Sequence, residues 1–164
     1  EGDRIDLGDR ELVVHEAPGH APHHAIYHDP DADVVFTADA AGIYVPAVDA
    51  IEPTTPPPQF DLDQCLADVR TVESLDPDTL CFGHFGPREY EPELAGEIKR
   101  AYVEWVEAIR EKREEFGDDD AVVEHFEEAS RHREFWNPER ARANASLNVR
   151  GVLAYLDYVA ENEG

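Results

Sequence analysis

A chain of 164 residues can hold one domain with a sizeable core, or a small domain with a helical appendage, and is too short for two full domains. Its hydrophobic content of 41% excludes a disordered acidic segment, and no apolar run approaches the ~20 residues of a membrane-spanning helix. With 38 Asp and Glu against 14 Lys and Arg, a net charge of −24, the surface repels phosphate backbones and anionic lipid, so neither nucleic acid nor a membrane is an expected partner.

The first third is rich in β-branched residues and turn signals. Residues 10–15 (RELVVH) read as a strand, 17–19 (APG) as a turn and 25–28 (AIYH) as a second strand. DPDAD at 29–33 reads as another turn, before a short buried strand at 34–37 (VVFT). Residues 42–59, which include PTTPPPQ, read as an irregular surface loop too rich in proline for a ladder or a helix. Asp61 then reads as the N-cap of a helix to Leu75, with Leu62, Cys65, Leu66, Val69 and Val72 on one face, and 79–82 (TLCF) as a fourth strand.

From Pro92 onward the pattern is helical. Leu94, Ile98, Ala101, Tyr102, Trp105, Ile109 and Phe116 form one apolar stripe that Gly117 closes. Asp118 to Asp120 cap a shorter helix carrying Val122, Val123 and Phe126, and Pro138 opens a long one carrying Val149, Val152, Leu153, Leu156 and Val159. Trp105, Phe116, Phe126, Phe135, Trp136 and Tyr155 read as helix packing. A boundary at residue 90 thus separates an α/β portion, 1–90, from a helical region of three helices, 91–164.

Three residues with ligand chemistry follow predicted strands or turns: His20 after APG, Asp39 after VVFTA and His84 after LCFG. Each has a small residue beside it, so its side chain can reach a site at the rim of a sheet. Imidazole nitrogen and carboxylate oxygen suit zinc, iron or manganese, and an aspartate can bridge two cations. His15, His23 and His28 read as solvent-facing, and His125 and His132 as helix-surface residues. Cys65 and Cys81 lack CxxC spacing and read as buried free thiols in a reducing cytoplasm, to which the chain is assigned. Cys65 has no cationic neighbour that would make it a nucleophile.

APGHAPHHAIYH resembles the TPGHTPGH-like segment of the metallo-beta-lactamase superfamily, VVFTADA its FTGDA-like segment and LCFGHFGP its closing strand-and-histidine segment, in the family's order. The resemblance spans residues 5–90. It implies an α/β fold: the C-terminal half of an αββα sandwich followed by a helical tail, as in members resembling hydroxyacylglutathione hydrolase. It further implies His20, Asp39 and His84 as metal ligands, His24 as a companion histidine that does not ligate, and a cofactor of one or two zinc ions, with iron or manganese as alternatives. The implied activity is that of a metal-dependent hydrolase whose metal-activated hydroxide attacks a thioester or other small acyl substrate.

Two departures from the family pattern stand out. Ala38 replaces the glycine that usually precedes the aspartate, and the HxHxDH motif that supplies further ligands is absent. Because the chain starts at Glu1 and holds no methionine, it reads as the C-terminal part of a longer hydrolase, inactive by itself. A half-sandwich exposes a sheet face, so a homo-oligomer is expected, most simply a two-fold dimer through Val13, Val14, Ile26, Val35 or Phe36. Rival readings are a nuclease or an iron-dependent member of the same superfamily, and a non-catalytic structural or oligomerisation module.

An acid-coated chain with only two lysines, Lys99 and Lys112, also resembles the proteins of salt-loving archaea. Self-repulsion at −24 acts over a Debye length that shrinks from ~30 Å at 0.01 M salt to ~3 Å at 1 M. The melting temperature is therefore expected to rise from low to molar potassium chloride. A flat profile would contradict the salt argument.

Overall fold

In the computed structural model, residues 2–130 and 137–162 are described. The first third folds into strands β1 (Arg4–Asp6), β2 (Glu11–Glu16), β3 (Ala25–Asp29) and β4 (Val34–Ala38). A small hairpin follows, β5 (Ile43–Val45) and β6 (Ala50–Glu52), then helix α1 (Leu62–Leu75) and strands β7 (Thr79–Phe82) and β8 (Pro87–Glu89). The six-stranded sheet has the order β1-β2-β3-β4-β7-β8. Every pairing in it is antiparallel except β4 with β7, whose parallel register needs the long crossover that contains α1.

Three of these features differ from the sequence reading. β1 and β8 are only three residues long, too short to show an alternation. The loop expected at 42–59 holds the β5–β6 hairpin, because its prolines fall at the turn (Pro46) or after the second strand (Pro53, Pro56, Pro57 and Pro58), where no ladder hydrogen bond is lost.

The chain forms two compact units, one of Glu1–Thr54 with Asp61–Tyr102 and one of Thr55–Phe60 with Val103–Gly164. In the first, Ile26, Val35 and Leu80 are fully buried on one face of the sheet. They share the core with Cys65, Val69 and Val72 of α1 and with Leu94, Ala95, Ile98 and Tyr102 of helix α2 (Pro92–Phe116). The opposite face is open. There Val14, Tyr27, Phe36, Cys81 and Pro87 stand in direct register across five strands, and Tyr27 and Phe36 are exposed. Of the residues expected to mediate self-association, Ile26 and Val35 are therefore in the core, and Val13 shares their face.

Helix α1 begins where the Asp61 carboxylate accepts the Gln64 N–H at 2.9 Å. Its inner face carries one residue that the apolar pattern conceals: Asp68, only 3% exposed. Asp68 Oδ2 accepts the Gly19 N–H at 2.8 Å, while the Asp61 N–H donates to the Gly19 carbonyl at 3.0 Å. Both polar groups of Gly19 are thus satisfied by α1, one by its N-cap residue and one by Asp68 in its middle. A Cβ on Gly19 would lie 2.3 Å from the Cys65 nitrogen, so only glycine lets the turn approach the helix this closely.

In the second unit the Asp118 carboxylate caps helix α3 (Asp119–Ala129), and Asn137 accepts from the first turn of helix α4 (Pro138–Asn162). Val106, Ile109, Val122, Val149 and Val152 are fully buried. Gly117, at φ 64°, ends α2 with its N–H on the Arg113 carbonyl. Thr55 is locked to α4: its N–H donates to Asn148 Oδ1 and its hydroxyl to the Asn148 carbonyl, while the Trp105 indole donates to the Thr55 hydroxyl. Phe116, in the last turn of α2, is 37% exposed and makes its ring contact with His125. Phe135, Trp136 and His132 lie outside the described residues. Among the described residues no helix is long and apolar enough to cross a membrane.

Burial holds the Asp68 carboxyl above its usual range, at about 6, against the opposing pull of the Gly19 N–H. The folded state thus keeps this proton after the unfolded chain has released it. Stability from this group is complete below pH ~4 and falls as pH rises toward 6. Asp68→Asn keeps an oxygen for Gly19 and cannot ionise. It is expected to raise unfolding free energy at pH 8 by about 1–3 kcal/mol and to remove the decline between pH 4 and 6 in urea titrations. A variant less stable than the parent at pH 8 would show that the charged carboxylate is the stabilising form.

Candidate metal centre

The turn that α1 clamps at Gly19 leads straight into His20. His20 Nδ1 lies 3.3 Å from the Thr54 carbonyl, and because a carbonyl can only accept, a hydrogen bond there places the proton on Nδ1. The lone pair of Nε2 then faces Asp39, with Nε2 3.8 Å from Oδ2.

Asp39 is the first residue beyond β4. The strand does not simply run on into it: the register with β7 shifts between Phe36 and Ala38, and Ala38 adopts a left-handed φ of 45°. For a residue with a Cβ this costs roughly 1–2 kcal/mol, which explains why glycine suits the position and what its replacement by alanine entails. The bend is held by the Gly83 N–H on the Ala38 carbonyl at 3.0 Å and by the Ala40 N–H on the Thr37 carbonyl at 3.0 Å.

His84 lies two residues past β7, and the glycine before it sits in close contact with the end of β4. A Cβ on Gly83 would sit 3.2 Å from the Ala38 backbone and 3.3 Å from Asp39 Oδ1. His84 Nε2 is 3.5 Å from Asp39 Oδ1, with the ring largely exposed and tilted against Phe85. The three side chains singled out in the sequence therefore converge, each histidine on a different oxygen of one carboxylate.

His24 has another place. Its Nε2 accepts the Asp39 N–H at 3.3 Å, so that nitrogen is occupied, and its Nδ1 is buried without a partner among the described residues. Burial, aided by nearby His20, pushes the ring's pKa down and keeps it neutral. His24 thus orients the main chain of Asp39. His23 is exposed, as expected. His15 and His28 are not solvent-facing: the pairing of Val13 with His28 puts both rings on the core face, 6.5 Å apart, with their Nε2 atoms buried. His125 packs between Phe116 and Phe126. Burial pushes the Cys65 and Cys81 thiols up, so both stay protonated.

Asp39 Oδ1 is buried and has no hydrogen-bond donor among the described residues. Separations of 3.5 and 3.8 Å exceed the ~2.7–2.9 Å of a charge-assisted hydrogen bond. They suit two ligand atoms on a shared cation, which at bonds of ~2.0–2.2 Å and a tetrahedral angle lie ~3.4 Å apart. The donor set thus fits a borderline metal such as zinc. Among the described residues no group of three or more His, Cys, Asp or Glu surrounds a single point. What the loops build is two pairs, His20 with Asp39 Oδ2 and His84 with Asp39 Oδ1, sharing one carboxylate.

Sequence reasoning missed Thr54 and Tyr102 beside this site. The Thr54 hydroxyl donates to the Asp39 carbonyl at 2.8 Å, and the fully buried Tyr102 hydroxyl approaches the same carbonyl at 3.4 Å. Tyr102 lies within an apolar helical stripe and Thr54 within a proline-rich run, so neither pattern signals a polar role.

The family model for the metallo-beta-lactamase superfamily matches residues 1–84. Among solved structures, the chain is similar to a metallo-beta-lactamase family protein from Thermus thermophilus, at 20% identity and a TM-score of 0.64, over 99% of this chain and 48% of that one. It is similar to a beta-lactamase domain protein from Burkholderia ambifaria at 17% identity and a TM-score of 0.62, over 99% and 46%. An archaeal metallo-beta-lactamase superfamily protein from Sulfolobus tokodaii aligns at 23% identity and a TM-score of 0.58, over 92% and 49%. The chain therefore spans about half the length of these three structures. No curated protein matches it significantly in sequence.

Proposed function

Because the chain belongs to the metallo-beta-lactamase superfamily, a hydrolase-type fold that generally binds metal ions, we propose that His20, Asp39 and His84 are ligands for one or two zinc ions. We infer further that the protein works as part of a metal-dependent hydrolase on a thioester or other small acyl substrate. The observation that carries this reading is the Asp39 carboxylate, whose two oxygens each face one imidazole nitrogen and whose buried Oδ1 lacks a hydrogen-bond donor among the described residues.

His20, Asp39 and His84 would hold the cation, which would supply Lewis acidity toward water and an acyl carbonyl. The residues of the chain do the positioning. His20 offers Nε2 because its Nδ1–H donates to the Thr54 carbonyl, and the Asp39 carboxylate is held in place because His24, Thr54 and Tyr102 engage its main chain. His84, largely exposed, stands where substrate can arrive from solvent. A net charge of −24 disfavours a polyanionic substrate and supports a small acyl compound over nucleic acid. Two free cysteines support a reducing compartment such as the cytoplasm.

A catalytic zinc takes three protein ligands, whereas each pair here brings two. Hydrolysis thus needs ligands beyond those that the described residues assemble, and turnover of a thioester by the 164-residue chain is expected to stay near background. Isothermal titration with zinc chloride is expected to show binding in the micromolar range. Asp39→Asn, nearly isosteric, should weaken it about 10-fold or more, with smaller losses in His20→Ala and His84→Ala. Unchanged zinc affinity in Asp39→Asn would overturn the assignment.

A further inference from the structure

We propose that Thr54 is a positioning residue that couples the two members of one such pair, selecting the tautomer of His20 through its carbonyl and fixing the main chain of Asp39 through its hydroxyl. The inference rests on the metal reading above and deepens it, since neither the motifs nor the family match assigns a role to Thr54.

The geometry is specific. Thr54 presents two oxygens to two different ligand residues: its carbonyl lies 3.3 Å from His20 Nδ1, and its hydroxyl donates to the Asp39 carbonyl at 2.8 Å. A neutral imidazole has one N–H, and which nitrogen carries it is set by the hydrogen bond that nitrogen can make, a carbonyl accepting only from an N–H. A backbone carbonyl can serve only the Nδ1–H form, which leaves Nε2 as the bare nitrogen directed at Asp39 Oδ2. Metal-ligating histidines are generally prepared in this way.

The second arm acts on Asp39. Its carbonyl receives the Thr54 hydroxyl and lies within reach of the Tyr102 hydroxyl, which is 3.3 Å from Thr54 Oγ1. Tyr102 is fully buried, so its hydroxyl is held beside this carbonyl away from solvent. With the His24 ring on the Asp39 N–H, the peptide groups on both sides of the Asp39 Cα are fastened, and the carboxylate turns about few bonds. This matters because Ala38 holds the preceding backbone in a conformation that an alanine disfavours. The threonine hydroxyl helps to keep that bend from relaxing and carrying the carboxylate away from His20.

The test compares the wild-type chain with Thr54→Val, which matches threonine in shape but lacks the hydroxyl, and Thr54→Ser, which keeps it. Long-range nitrogen–proton NMR on the metal-free wild type at pH 8 is expected to show His20 with its proton on Nδ1. Titration with zinc chloride is expected to show about 10-fold weaker binding in Thr54→Val and wild-type affinity in Thr54→Ser. Should Thr54→Val fail to fold, Tyr102→Phe removes the other hydroxyl from the same carbonyl, and a several-fold loss of zinc affinity is expected there too. A His20 proton on Nε2, or equal zinc affinity in the wild type, Thr54→Val and Tyr102→Phe, would overturn the proposal. Absence of zinc binding in the wild type would overturn the metal reading itself, and the tautomer measured without metal would still decide the role of the Thr54 carbonyl.

Discussion

The site depends on the way β4 ends. Up to Phe36 the strand is paired with β3 on one side and β7 on the other, and its ladder leaves no freedom to aim a side chain. At Ala38 the register slips, φ turns positive and Asp39 is delivered at the rim, with its carboxylate between two loops. Bulges and left-handed residues beside sites serve this purpose: they trade about a kilocalorie per mole of backbone strain for a direction that a regular strand cannot give. The strain persists because the Gly83 N–H, the His24 ring and the Thr54 hydroxyl all hold the bent segment.

Close approach of backbones explains the two glycines that flank the histidines. Gly19 lies against the first turn of α1 so tightly that a methyl group would enter the Cys65 main chain, and Gly83 lies against Ala38 and the Asp39 carboxylate. Each histidine therefore follows a residue that is pinned by contact as well as by hydrogen bonds. Gly19 is pinned more firmly, through Asp68 and Asp61, and His20 is correspondingly the less exposed ring: its side chain is 16% exposed against 60% for His84. The rim thus has a fixed side and an open side.

Much of this was legible in the residue order. The strands at 25–28, 34–37 and 79–82, the cap at Asp61 and the helices opened by Asp118 and Pro138 appear where turn residues and periodicity put them, because each is long enough or capped well enough to leave a pattern. The convergence of His20, Asp39 and His84 followed from their places just past strands and turns and from resemblance to family motifs. What stayed hidden has a common cause. A three-residue strand such as β5 has no period to detect, and the face taken by His15 and His28 turns on a single step of register, which the run RELVVH does not specify. Asp68 looks like a solvated helix residue until the turn at Gly19 is seen to need an acceptor. Thr54 acts through its carbonyl, a group that every residue possesses, so no side-chain pattern marks it.

The central claim is that Asp39 binds metal together with the two histidines that face it. X-ray absorption at the zinc edge, recorded on the zinc-loaded chain and on His20→Ala and His84→Ala, tests this most directly. Zinc held by these residues gives a shell of nitrogen and oxygen at ~2.0–2.2 Å with imidazole scattering that decreases in each variant. A sulfur shell near ~2.3 Å, which would bring in Cys65 or Cys81, or imidazole scattering unchanged in both variants, would contradict it.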